Sequence, residues 1–600
     1  MKQRLLNGKN IEYITMIVFA LLYIVITVYH EPWFDEAQAW EIAKGASLKE
    51  MLFVIPHYEG HPPLWHLILA IPARLGVPFE IGLKTVGCLV SFAAAYILIF
   101  FSNLPRQARL LLPFSYFFFY QYGVIVRPYG LMMLIMLILG MFFSERNEHP
   151  WLIIALLGLL CLCSAYGIVI AGGISICIVY EIIREKGIGS TFATILTDRR
   201  EMALLVLLLF AIVLIIEILP RADTYYAVGE ERNPLIVCLL CTFLIIPEEC
   251  FLTSASWFSV DRTLLQNAHI SGAELAVLCI IGILFWMFII CSASWKTVKF
   301  LLIPYALFAS FSACVYFSAH HLGVAFAFLL YWAEYISRED EKFEIGKELV
   351  EKISKEDRDS SLLKMMYKLI IYSCLTVPIV WTSVAAMRDI QYEYYFGKSM
   401  ANFIKEHNLD EMSIFGGWIE YGGKNPASEG NPNYINTVMI GTAPPINAYF
   451  KRNIFYNLNH NDHNRGFMYY RRPSLEESER DKEEWKETGV PDVIICSSDI
   501  ISGMPDLRLV YGEEFDYANY SLVFLKQSNH IWKTAAPADW MSIIVKNNLI
   551  DQYDLKALDG PESVVMNGVQ ITDEMRERYN NGESMEEILD PYLDEMFGED

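Results

Sequence analysis

The residues whose types and spacing bear on chemistry fall in four short stretches, each beside a long apolar run. The first is Trp33-Phe34-Asp35-Glu36-Ala37, two adjacent carboxylates among aromatic neighbours. Like charges side by side push one carboxyl pKa upward, which suits a proton acceptor near neutral pH. Carboxylates held against a lipid surface cost free energy, so a functional role is one reading. The other is a pair of acids that merely start the next helix. The second stretch, His57-Tyr58-Glu59-Gly60-His61-Pro62-Pro63, supplies two histidines, an acid and prolines suited to a helix start. The third, Arg127-Pro128-Tyr129, carries an arginine that either snorkels to headgroups or binds an anion. The fourth, His320-His321, offers the same choice between phosphate neighbours and ordinary interfacial residues. Zinc bound by histidines is disfavoured. Gly60 and the prolines argue against a helix carrying His57 and His61 on one side, and no CxxC pair or zinc spacing occurs.

These residues are positioned by membrane-spanning elements. The 600-residue chain is 54% hydrophobic, with apolar runs up to about Met387 and mixed, polar sequence after it. The run Ile11–Tyr29, about 19 residues, is long enough to span the hydrocarbon, and Lys2 and Arg4 before it predict a cytoplasmic N-terminus. It has no small-residue cleavage site and should stay as an anchor. Asp35 and Glu36 then lie at the outer membrane surface, in a first outer loop over 30–63. Further spans are expected near 80–102, 107–123, 129–143, 151–165, 167–183, 203–219, 272–291, 299–317, 321–336 and 364–386. Two ambiguous segments, 64–76 and 235–246, leave the total between 11 and 13, and Pro247-Glu248-Glu249 marks a re-entrant or interfacial element. Either count puts the part after residue 387 outside the cytoplasm. The fold class is therefore an all-α polytopic membrane domain over 1–387 with a C-terminal extracytoplasmic α/β domain over 388–534. Strands are expected near Met412–Phe415, Pro491–Cys496 and Tyr520–Leu525. The residues 535–600 read as a solvated acidic tail with a helix at Met585–Met596.

The net charge of -22 sits largely in the C-terminal third, which argues against nucleic acid as a partner. Most of the 12 cysteines lie in apolar runs and only Cys496 falls clearly in the soluble part, so no disulfide framework is expected. Cysteine scarcity outside the spans fits a multi-pass protein of a bacterial plasma membrane.

The order of Phe34-Asp35-Glu36-Ala37, Glu59-Gly60-His61-Pro62-Pro63-Leu64, Arg127-Pro128-Tyr129, His320-His321-Leu322-Gly323 and the segment Thr382–Ala401 leading into the outer domain resembles the GT-C class of integral-membrane glycosyltransferases. It is similar in particular to bacterial relatives of the protein O-mannosyltransferase and aminoarabinose-transferase group. The resemblance covers roughly residues 1–410. It implies a sugar taken from a polyprenyl-phosphate carrier in the membrane lipid, with inversion, and given to an unknown extracytoplasmic acceptor (a lipid, a cell-envelope glycan or a protein). Phosphate is already a good leaving group, so such a reaction needs a base for the acceptor hydroxyl and positive groups for the departing phosphate. Asp35 is then the base, with Glu36 orienting it or sharing a cation. Arg127 holds the phosphate, a guanidinium matching phosphate oxygens in a fixed fork. His61, His320 and His321 follow as carrier-phosphate ligands, and His57, Glu59 and Tyr129 as further candidates. Oxygen ligands from Asp35 and Glu36 with phosphate would suit Mg²⁺ or Mn²⁺. A lipid-carrier flippase or transporter, or a non-catalytic glycolipid-binding scaffold, are the competing functions, though little charge inside the spans speaks for transport.

Overall fold

A computed structural model describes residues 2–224, 234–254, 272–290, 293–339, 360–421, 430–431, 434–458, 465–497, 507–516, 519–536 and 538–558, with 565–566, 569–570 and 578. The expected helix at Met585–Met596 lies outside the described residues. The molecule is mostly helical, with a small sheet region near its C-terminus.

Among the described residues, eight helices are long and apolar enough to cross a membrane: Asn10–Tyr29, Phe79–Phe101, Pro128–Glu145, Ala165–Lys186, Arg199–Ile218, Gly272–Ile290, Lys296–Cys314 and Lys368–Gln391. This is fewer than the 11 to 13 read from hydropathy, and the differences have physical causes. The expected span 107–123 is broken into a short helix Arg106–Leu111, a tight turn Leu112–Phe114 around Pro113, and a π-helical segment Tyr116–Val124 whose residues are all buried. Such irregular backbone is tolerated at membrane depth when protein rather than lipid surrounds it. The segment 235–249 is likewise interrupted, by a π-helical turn at Cys241–Ile245 and a buried helix Ile246–Glu249. Pro150–Cys163 is apolar but only 14 residues long. Leu322–Glu339 is buried almost throughout and carries Glu334 inside it.

The aromatic run is packed inside the protein. Phe19 meets Phe118 and Phe119 edge-on, and the Tyr23 hydroxyl donates to the Gly123 carbonyl at 2.7 Å. Gly323 lets the helix after His321 lie against this segment: a Cβ there would sit 2.5 Å from the ring of Tyr122. Both rings it meets, Tyr122 and Phe117, are buried and closely packed. Gly323→Ala is expected to lower stability by about 1–3 kcal/mol through overpacking, measurable as a fall in the melting temperature of the detergent-purified protein.

α1 (Lys2–Tyr29) is followed by α2 (Phe34–Gly45), α3 (Leu48–Phe53), α4 (Ile55–Glu59) and α5 (Leu64–Arg74). Ser47 caps α3 with Glu50 answering its backbone, and α4 ends at Gly60 in the left-handed region, φ 65°.

The C-terminal domain begins where the last long helix, Ser360–Gln391, ends. Helix Gly397–Glu406 buries Met400, Ala401 and Ile404. Strands β1 (Ile414–Gly416), β2 (Trp418–Tyr421), β3 (Ile435–Val438), β4 (Val493–Ser497), β5 (Tyr520–Asn529) and β6 (Ala538–Lys546) follow. β1, β4, β6 and β5 form one sheet in that order, with β1 parallel to β4 and the other pairs antiparallel; β2 and β3 form a separate antiparallel pair. β6 corrects the boundary drawn at residue 535. It is an internal strand pairing Val545 with Val493 and Ile544 with Ile494, so the domain extends past 534 and residues 538–546 are not a solvated tail. The acidity of the whole segment had masked Ile543-Ile544-Val545.

This domain is fastened to the helices. The side chain of Gln38 on α2 donates to the Met468 carbonyl at 2.5 Å and accepts from the Met468 N–H at 3.0 Å. Lys533, fully buried, donates to the carbonyls of Glu249 (2.8 Å) and Thr253 (2.9 Å) and stands 4.3 Å from the Trp381 ring centroid.

Candidate functional site

The two adjacent carboxylates have separate partners. Glu36 occupies the third position of α2 and accepts the Trp33 N–H at 2.8 Å, closing the helix start. Its other oxygen accepts the Val126 N–H at 2.6 Å, which ties α2 to the residue before Arg127. His30 Nε2 stands 3.4 Å from Glu36 on one side and His30 Nδ1 3.0 Å from Asp389 on the other, with the Tyr120 hydroxyl donating to Asp389 at 3.0 Å. Burial opposes the charge on His30, but the two carboxylates prevail and raise its pKa to about 10. Glu36 is thus a positioning group within a buried polar network.

Asp35 points the other way. Its Oδ2 lies 2.5 Å from Arg127 Nη1, with 18% and 10% of the two side chains exposed. Arg127 precedes the helix Pro128–Phe142 in extended conformation, and its guanidinium carbon lies 5.3 Å from the ring centroids of both Trp33 and Tyr129. Burial raises the Asp35 pKa above the ordinary carboxylate value, Arg127 opposes the rise and Glu36 adds to it. The Arg127 pKa is also raised, its carboxylate and tyrosine neighbours outweighing burial, so it stays cationic.

Around this pair stand polar groups from distant parts of the chain. Tyr129 stacks on Tyr122 and meets the rings of His61, His320 and His321 at centroid distances of 6.2, 6.4 and 5.3 Å. Trp33 meets His320 at 5.5 Å and His530 at 5.9 Å. Burial holds His61 neutral with its pKa near 3, Arg127 adding to the effect, and pushes His320 and His321 well below the ordinary histidine value. The Ser318 hydroxyl lies 2.9 Å from His320 Nδ1 and 3.0 Å from His321 Nδ1. Several buried atoms on these residues lack a hydrogen-bond partner among the described residues: Trp33 Nε1, His61 Nδ1, the Tyr129 hydroxyl and His530 Nε2. Arg127 Nη1 has none of hydrogen-bonding angle, despite its closeness to Asp35. Such a concentration of unpartnered polar atoms in a buried place is what a polyhydroxylated or phosphate-bearing ligand would satisfy.

Of the residues singled out in the sequence, Asp35, Arg127, Tyr129, His61, His320 and His321 are brought together. Glu59 borders them through Gln38, whose amide donates to its Oε1 at 2.9 Å. His57 does not join: its Nδ1 meets the Leu219 carbonyl at 2.8 Å. His30, beside the paired carboxylates, and Asp389 and Tyr395, within the segment Thr382–Ala401, have no role assigned from sequence, and His530 has no sequence signal. His530 follows β5, places Nδ1 3.2 Å from Asp539 and stacks on Tyr395 at 5.3 Å with a 7° interplanar angle. It reaches Trp33 because the C-terminal domain packs against the helices.

Glu59 carries a pH dependence. Burial raises its pKa from 4.5 to about 8, with the Gln38 hydrogen bond opposing. A carboxyl whose folded pKa lies above its unfolded value costs nothing below about pH 4.5 and destabilises increasingly as pH rises toward 8. Glu59→Gln keeps an acceptor for Gln38 and is expected to flatten that decline, gaining about 1–3 kcal/mol at pH 8 and nothing at pH 4. Thermal denaturation across that range checks it.

The expected cation ligands already have partners within the protein. Asp35 is held by Arg127, both Glu36 oxygens accept backbone N–H groups, and no group of three or more His, Cys, Asp or Glu side chains among the described residues is placed to share an ion. No protein-family model, curated protein or solved structure matches the chain.

Proposed function

We propose that this protein is a membrane glycosyltransferase of GT-C type. It would move a sugar from a polyprenyl-phosphate carrier to an acceptor outside the cytoplasm (a lipid, an envelope glycan or a protein), as a multi-pass plasma-membrane protein whose C-terminal domain is extracytoplasmic. The observation that carries the reading is the Asp35–Arg127 pair, 2.5 Å apart, with buried polar atoms lacking partners on the neighbouring Trp33, Tyr129 and His61. An acid of raised pKa beside a permanent cation supplies the two roles the reaction needs. The acceptor hydroxyl gives its proton to Asp35 as its oxygen attacks the anomeric carbon. The bond from that carbon to the carrier phosphate breaks with inversion, and its electron pair stays on the phosphate oxygen beside Arg127. Tyr129, His61 and His320 line the same place as neutral hydrogen-bonding groups, and Glu36 fixes α2 against Val126.

A second base is favoured by one observation. His530 Nδ1 is held by Asp539 while its buried Nε2 has no partner, the arrangement of a carboxylate-oriented proton acceptor.

The test is transfer of radiolabelled sugar from a defined polyprenyl-phosphate pool by the purified full-length protein in nanodiscs. Labelled product with inverted configuration supports the reading. Movement of carrier across the bilayer without transfer makes the protein a flippase, and carrier binding with neither makes it a scaffold.

A further inference from the structure

A second polar centre lies where the first and last spanning helices end together. α1 packs against Ser360–Gln391, and where both finish there is a cavity of about 250 Å³ lined by Tyr29, Glu31, Asp389, Tyr392, Glu393 and Lys398 among others. Its carboxylates outnumber the cations left to serve them. Asp389 is only 2% exposed, and while its Oδ2 is met by His30 and Tyr120, its Oδ1 has no hydrogen-bond partner. Glu31 accepts the Tyr394 N–H at 3.0 Å but has no lysine or arginine at ion-pair distance among the described residues. The neighbouring cations are engaged elsewhere. Lys398 stands 3.0 Å from Glu80, Lys526 pairs with Glu393, and His30 is shared between Asp389 and Glu36. Burial and the nearby carboxylates raise the Glu31 pKa to about 7, although the Tyr394 N–H and His30 oppose it, as expected where negative charge is in excess.

The rim of this cavity is apolar. Tyr29, Ile390 and Tyr392 are exposed at the helix ends, and above them Leu21, Val25 and Val28 on α1 and Val380 and Met387 on the last helix are exposed as well. Tyrosines at the end of an exposed apolar strip are what the water–lipid boundary selects. A ligand fitting both halves has a small cationic head and a hydrocarbon body.

We propose that this cavity takes the ammonium group of an aminophospholipid, whose acyl chains lie along the exposed strip of the two helices. A primary ammonium carries three N–H donors. Asp389 Oδ1 is an acceptor without a hydrogen-bond partner, and Glu31, Ser399 and Asn402 line the same cavity. A divalent metal is the poorer occupant, because no three acid, histidine or cysteine side chains converge among the described residues. The site goes beyond glycosyl transfer and stands whether or not that chemistry is correct. Its occupant is linked to α2, since a cation at Asp389 competes with His30, and His30 also contacts Glu36.

The test reconstitutes the full chain in phosphatidylglycerol nanodiscs containing a minor fraction of phosphatidylethanolamine, releases it into detergent and identifies retained lipid by native mass spectrometry. Selective retention of phosphatidylethanolamine, reduced roughly tenfold by Glu31→Gln, is expected. Glu31→Gln leaves the His30–Asp389 contact in place, so its effect does not depend on a variant that disturbs the fold. Equal retention of both lipids, or enrichment unchanged in Glu31→Gln, overturns the proposal. So does protection against thermal unfolding by free ethanolamine as strong as that by the lipid, which would make this a soluble-amine site.

Discussion

Asp35→Asn is expected to lower sugar transfer by about 10²–10⁴-fold, the usual contribution of a positioned general base, while the protein still inserts and binds carrier. The asparagine keeps the shape of the side chain beside Arg127 but removes both the proton acceptor and the counter-charge. The loss should fall on the turnover number rather than on the half-saturating carrier concentration, because binding of the donor phosphate is assigned to Arg127. The wild-type rate should rise with pH through the raised Asp35 pKa, and this acidic limb should vanish in the residual activity of Asp35→Asn. Transfer at an undiminished rate would remove Asp35 from the chemistry.

The same assay separates the two bases. His530 lies below the ordinary histidine pKa because burial disfavours its cation, with Asp539 opposing. If it were the proton acceptor, His530→Gln would abolish the acidic limb and Asp35→Asn would only shift it. With Asp35 as base, His530→Gln retains the limb and most of the rate, the loss being confined to its contact with Asp539, its ring contacts with Tyr395 and Tyr394, and its edge contact with Trp33.

What the sequence revealed follows from how polarity is distributed. Arg127, His61 and His320-His321 stood out because they interrupt or flank long apolar runs, where each charged or ionisable residue is conspicuous. Their mutual proximity rested on the order of pieces alone. The division of labour between Asp35 and Glu36 was not legible, since it depends on which backbone N–H groups each meets: Glu36 takes those of Trp33 and Val126, and Asp35 takes a guanidinium. The roles of His30, Asp389 and His530 were not legible for a related reason. A single polar residue at a helix end or after a strand has no periodicity of its own, and its partner here is supplied by a remote segment. The π-helical turn at Tyr116–Val124 was hidden too, because hydrophobicity reports burial and not the ring size of the backbone hydrogen bond.

Arg127 decides the strongest expected effect on stability and activity together. Arg127→Met leaves Asp35 as a buried carboxylate without its counter-charge, and removing one partner of such a pair costs about 3–5 kcal/mol. It also removes the cation stacked between Trp33 and Tyr129. Arg127→Lys restores the charge but not the planar fork, so it should recover most of the melting temperature and little of the carrier affinity. The double variant Asp35→Asn with Arg127→Met should be more stable than Arg127→Met alone, because the uncompensated carboxylate is gone, and should remain inactive. This pattern sets a phosphate-binding arginine apart from a purely structural one. If Arg127 served only to neutralise Asp35, the double variant would regain carrier binding along with stability, and Arg127→Lys would bind carrier as well as the native protein does.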